Sequence, residues 1–175
     1  MRILWKPLRM LADALVADSS PRQLAWGTAL GLFAGLVPKD NLTAAALMVV
    51  ICALRVNMAA VAIAMMASSW IGTLADPLTH RLGEWLLRHD RLQEFWTTLA
   101  NLPVVPWTAF NNTVVLGSFV AGLVMLYPLY RLVEWPARRY VPALQKRLAQ
   151  YRIVKWLWGA EWTHRILGAS ARTST

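Results

Sequence analysis

The sequence is poor in acid and nearly empty of cysteine. Nine Asp and Glu stand against 18 Lys and Arg in 175 residues, and the charged fraction is only 15%. A soluble domain carries roughly 25% charged residues, so there is too little polar surface here to coat a water-soluble globule. Cys52 is the single cysteine. It excludes an internal disulfide framework and reads as a small apolar filler. The motifs of catalysis are missing too: no HExxH, no CxxC pair, no phosphate-cradling glycine loop and no serine nucleophile elbow. His80, His89 and His164 have no metal-ligand spacing with other ligands. The sequence thus predicts no metal, no cofactor and no enzymatic activity. No small-residue cleavage site follows an N-terminal apolar core, so the first residues are expected to stay in the mature chain.

What is present is apolar. Hydrophobic residues make up 57% of the chain, mean hydropathy is +0.41, and they come in long blocks. The fold class this predicts is all-α: a polytopic helical membrane protein with a short-helix hairpin, two longer transmembrane helices and amphipathic helices at both ends. The net charge of +9 sits mostly at the two ends, flanking the apolar blocks. That pattern fits anionic lipid headgroups rather than nucleic acid.

Residues 1–20 read as an amphipathic interfacial helix, with Leu4, Leu8, Leu11 and Leu15 on one face. Ser20, Pro21 and Gln23 then have the spacing of a capping box. The membrane domain is expected over residues 21–133. Its first part is a hairpin, 24–54, built from two apolar blocks that are each short for a bilayer. The first block, about 14 residues, reaches about 21 Å against a hydrocarbon core of about 30 Å. The hairpin turns at Pro38, Lys39, Asp40 and Asn41, and it either re-enters or crosses a thin membrane. A spanning helix follows over 58–75. An amphipathic segment over 76–112 is expected to begin with Asp76 as helix N-cap before Pro77. Residues 113–133 form the last span, capped by Asn111 or Asn112 and kinked near Pro128. Residues 134–175 are a basic tail in which Trp156, Trp158 and Trp162 accompany Lys and Arg.

Basic residues cluster at both termini and at Arg55, whereas residues 76–112 hold three basic and four acidic side chains. The positive-inside rule then puts the N- and C-termini in the cytoplasm, and the hairpin tip and the 76–112 segment on the other side.

Few polar positions stand out. Gly27, Gly31 and Gly35 make a ridge for close helix contact, within the monomer or in a homo-oligomer; Gly117 is a second such contact point. Lys39, Asp40 and Asn41 are either a plain turn with a helix N-cap or a membrane-embedded binding tip, because broken helices expose backbone groups. Arg55 and Asn57 read as interfacial anchors. Asp40, Asp76 and His80 share a side, where they could receive a cation or a headgroup. Asn111-Asn112-Thr113 matches a glycosylation sequon of a kind common by chance.

The stretches "SSPRQLAWGTALGLFAGLVPKDNL", "LRVN", "DPLTHRLG" and "FNNTVVLGS" together resemble a family of small, uncharacterised bacterial inner-membrane proteins. That family lies within a larger domain-of-unknown-function group sharing a Gly-rich helix ending in Pro, then Arg-x-Asn, then Asn/Asp-Pro-x-Thr. The resemblance covers about residues 19–133, and Asp40 stands where relatives are expected to carry glycine. It implies the bacterial inner membrane and a larger envelope protein as partner. The function expected is a non-enzymatic membrane subunit or scaffold that docks this partner and handles lipid. The alternative is a small transporter or flippase-like protein using the broken hairpin 24–54 as its substrate element. A lipid-headgroup enzyme acting through Asp40, Asp76 and His80 ranks last.

Overall fold

The computed structural model describes residues 20–150, with side chains to residue 146. The amphipathic helix expected before Ser20 and the Trp-rich stretch after residue 150 lie outside the described residues. All regular structure within them is helical. Four α-helices run up and down between two ends: α1 (Pro21–Leu36), α2 (Leu42–Ala53), α3 (Met58–Leu87) and the long α5 (Thr113–Gln150). The connection from α3 to α5 carries the short α4 (Gln93–Ala100) between two 3₁₀ turns, Asp90–Leu92 and Val105–Thr108.

α1 starts where the capping box demands. The Ser20 hydroxyl accepts from the Gln23 amide at 3.2 Å, and the Gln23 side chain accepts from the Ser20 amide at 3.0 Å. These bonds satisfy donors that a helix start leaves orphaned. α1 is the centre of the bundle, held against both α3 and α5. Its contact with α3 is made backbone to backbone. A Cβ at Gly27 would lie 2.5 Å from the Asn57 carbonyl oxygen; at Gly31 it would lie 2.4 Å from that of Val61; at Gly35, 2.5 Å from that of Met65. The facing stripe on α3 is Ala60, Ala64, Ser68 and Gly72, all buried. The Ser68 hydroxyl reaches the Gly31 carbonyl at 3.4 Å.

α2 returns beside α1. Ala44 shares a cluster with Phe33 and Val37, and Ile51 packs with Leu30, Ala34 and Val61. The loop after α2 ends where α1 begins: the Asn57 amide donates to the Gln23 carbonyl at 3.2 Å. The Asn57 side chain then caps α3 by accepting from the Ala60 amide at 2.8 Å. The 16 residues of α1 give the hairpin a height of about 24 Å.

Two expected boundaries are corrected. Asp76 does not begin a helix, because α3 is continuous over 30 residues with Pro77 inside it. Proline removes one backbone donor and crowds the preceding turn. Here both halves of α3 are clamped by close packing: Ser68 and Gly72 lie on α1, while Thr79 and Gly83 lie on α5. The Thr79 hydroxyl takes up the Asp76 carbonyl at 3.1 Å. Likewise α5 does not end at residue 133. It runs on through Pro128, Pro136 and Pro142, since Ala137 and Val141 bury against Leu24 of α1.

α3 and α5 are long and apolar enough to cross a membrane, yet only 28% and 33% of their most apolar stretches are buried inside the protein. Trp70 and Leu74 on α3 are 79% and 83% exposed, and Val124 and Leu132 are bare on α5. Burying such a side chain is worth about 1.5–3 kcal/mol, so a belt of them left in water would be very costly. In hydrocarbon the same belt costs nothing. The two long apolar helices and their exposed belt point to a membrane-associated protein.

Candidate functional site

The hairpin tip satisfies its own polar groups. The Lys39 ammonium donates to the Gly35 carbonyl at 3.3 Å, covering the end of α1. Asn41 donates to the Pro38 carbonyl at 2.7 Å and accepts from the Ala44 amide at 2.9 Å, so it is both the brace of the turn and the N-cap of α2. Buried Thr43 donates to the Thr108 carbonyl at 2.7 Å, which ties the tip to the second 3₁₀ turn. Asp40 and Asn41 line an open groove of ≈ 580 Å³, shared with Leu42, Pro103, Val104 and Trp107.

The six other polar positions singled out in the sequence do not form one site. Asn57 is buried near the start of α1, and exposed Arg55 precedes it. Asp76, His80, Asn111 and Asn112 lie toward the other end of α3. His80 does not join Asp40 and Asp76. Its Nδ1 lies 2.6 Å from the Thr113 hydroxyl, and its Nε2 lies 3.8 Å from Glu84, which also pairs with Arg88 at 3.1 Å. Asn112 caps α5 by accepting from the Val114 amide at 2.9 Å; Asn111 is exposed. Among the described residues no three His, Cys, Asp or Glu side chains gather in a way that could hold a metal ion.

Glycine governs the α3–α5 contact here as well. A Cβ at Gly117 would lie 1.8 Å from the Thr79 carbonyl oxygen, and one at Gly83 would lie 1.9 Å from that of Thr113. Gly83 is absent from the sequence-derived set, because it falls in a stretch that reads as a separate surface helix.

The most elaborate polar cluster was also missed. Glu134, in the part of α5 that reads as basic tail, has a side chain only 3% exposed. Its carboxylate accepts from the Tyr130 hydroxyl at 2.5 Å, from Arg131 at 2.9 Å and from Arg138 at 2.6 Å. Arg22, from the first turn of α1, approaches it at 3.8 Å. Tyr130 is fixed in turn by stacking on Trp26 of α1, with ring centroids 4.3 Å apart. A buried carboxylate is stable only when paired and hydrogen-bonded, and this one ties the start of α1 to α5. The signal available in the sequence was Arg131, Glu134 and Arg138 at helical spacing; the contribution of Arg22 needs the tertiary fold.

The chain matches, over residues 8–147, the family described as an uncharacterized protein conserved in bacteria, DUF2062. It belongs to that family. A relative from Treponema pallidum (strain Nichols), itself described as an uncharacterized protein, is 30% identical over 135 residues, which cover 77% of this chain and 83% of the relative. No solved structure is detectably similar. The family match takes in the hairpin, both long helices and the Glu134 cluster. It begins before Ser20 and continues well past residue 133, where the motif resemblance stops.

Proposed function

We propose that this family member is a multi-pass subunit of the bacterial cytoplasmic membrane, a scaffold that docks a larger envelope protein. In this reading the hairpin tip faces the envelope side. The start of α1, the loop between α2 and α3 and the later part of α5, which carry Arg22, Arg55, Arg138 and Arg139, face the cytoplasm. The observation that carries the scaffold role is how the tip is built. Lys39 and Asn41 are committed to the ends of α1 and α2, and α1 is locked to α3 through glycine. A substrate element of a transporter needs helix ends open to a ligand and a part free to move. These helix ends are closed by their own side chains, and the interface leaves no slack.

Lipid-facing α2 supports docking at the membrane plane. Val49, Val50 and Leu54 form an exposed apolar face on a helix that is held only along one side. The alternative, a small transporter using the 24–54 hairpin, draws on the groove at Asp40 and Trp107. Affinity purification of the full chain in mild detergent separates the two. A scaffold co-purifies with a larger envelope protein in a fixed ratio, and Val49→Ser with Val50→Ser reduces its recovery. Recovery of the chain alone, or only with copies of itself, would sink the scaffold reading.

A further inference from the structure

We propose that Arg22, Arg131 and Arg138, gathered around Glu134, form a built site for the headgroup phosphates of an anionic phospholipid. The inference rests on the membrane placement proposed above. Each guanidinium carries five N–H donors. Glu134 engages one from Arg131 and one from Arg138, and lies within ion-pair distance of Arg22. The guanidinium side chains stay open to the outside: they are 72%, 60% and 54% exposed, while the Glu134 side chain they share is 3% exposed. One carboxylate offsets one of three positive charges, so the cluster keeps about two. That residue of charge suits a headgroup with two phosphodiesters, and the planar forks suit phosphate oxygens.

Its position fits a headgroup. α1 starts here and the apolar run of α5 ends here, at Val133. Trp135, Tyr127 and Tyr140 stand exposed around it, as aromatic side chains do at the membrane–water boundary. Exposed Leu132 and Val124 continue along α5 where acyl chains would lie. Glu134 is a positioning residue in this account: it converges side chains from two helices that would otherwise repel. Basic pockets between membrane helices are a recognised way to hold such lipids.

The test is native mass spectrometry of the full chain in mild detergent, titrated separately with diphosphatidylglycerol, phosphatidylglycerol, phosphatidylcholine and inorganic phosphate. The wild type should bind diphosphatidylglycerol at least tenfold more tightly than phosphatidylcholine. Arg22→Gln should lose most of that preference, and Arg139→Gln, one residue outside the cluster, should keep it. Arg22 is largely exposed and lies 3.8 Å from Glu134, so its loss leaves the hydrogen-bonded core of the cluster intact; Arg131→Gln serves as a second variant should Arg22→Gln fail to fold. Equal loss in Arg22→Gln and Arg139→Gln would overturn the site in favour of diffuse charge attraction. Inorganic phosphate competing at the same concentration as the lipid would overturn the lipid assignment. If no lipid is preferred while the chain resists alkaline extraction from membranes, the site fails alone; if the chain is extracted, the membrane placement fails with it.

Discussion

A single methyl group added at Gly35 would sit 1.7 Å from the Ser68 hydroxyl oxygen and 2.5 Å from the Met65 carbonyl oxygen. The hydroxyl can rotate away, but the carbonyl belongs to a helix backbone and cannot. Gly35→Ala should therefore lower the thermal midpoint of the purified protein, at a cost of about 1–3 kcal/mol for overpacking. Gly72→Ala is the control. Its added methyl meets nothing nearer than 3.5 Å, so its midpoint should stay within a degree or two of wild type. Equal melting of the two variants would show that α1 and α3 are not as close as described. Glu134 is the other position where one side chain decides much. Glu134→Ala leaves three arginines converging on an empty centre and removes the acceptor of Tyr130. Its midpoint should fall by several degrees, more than that of Glu84→Ala, because the Glu134 side chain is 3% exposed and that of Glu84 36%.

Helices here are set by packing more than by local signals, and this decides what could be read in advance. The ridge Gly27, Gly31, Gly35 was visible because a spacing of four marks one helix face wherever the helix is docked. The Ser20 cap was visible for a similar reason, since the whole capping box lies within four residues. Pro77 misled because Asp-Pro and Ser-Pro look alike locally. Ser20-Pro21 begins α1, whereas Asp76-Pro77 lies inside α3, and only the clamping by α1 below and α5 above distinguishes them. Glu134 was only partly legible: Arg131 and Arg138 lie at helical spacing on its own helix, but Arg22 comes from α1, more than a hundred residues away. If packing keeps α3 continuous, Pro77→Ala should preserve the fold and raise the midpoint, since an interior proline costs up to about 3 kcal/mol. Circular dichroism melts in detergent check this; a lower midpoint would mean that the fold depends on the proline bend. Gly83→Val should do the reverse. It forces a branched side chain against the Thr113 backbone and should separate α3 from the start of α5, lowering the midpoint by more than Gly35→Ala does.

Taken together, the described helices distribute charge unequally between the two ends of the bundle. Arg22, Arg55, Arg131, Arg138 and Arg139 stand at the end where α1 begins, with Glu134 in their midst. Asp40, Asp76, Glu84, Asp90 and Glu94 stand toward the other, among Lys39, Arg81, Arg88 and Arg91. Between the ends lies the exposed apolar belt of α3 and α5. We propose that this belt crosses the cytoplasmic membrane with the arginine end inside. The most direct test is cysteine accessibility in intact cells, in a Cys52→Ser background because Cys52 is itself exposed. Asp40→Cys and Arg81→Cys should react with a membrane-impermeant maleimide added outside the cytoplasmic membrane. Arg55→Cys and Arg139→Cys should react only after the cells are broken. Labelling of positions 55 and 139 from outside, with 40 and 81 protected, would contradict the account.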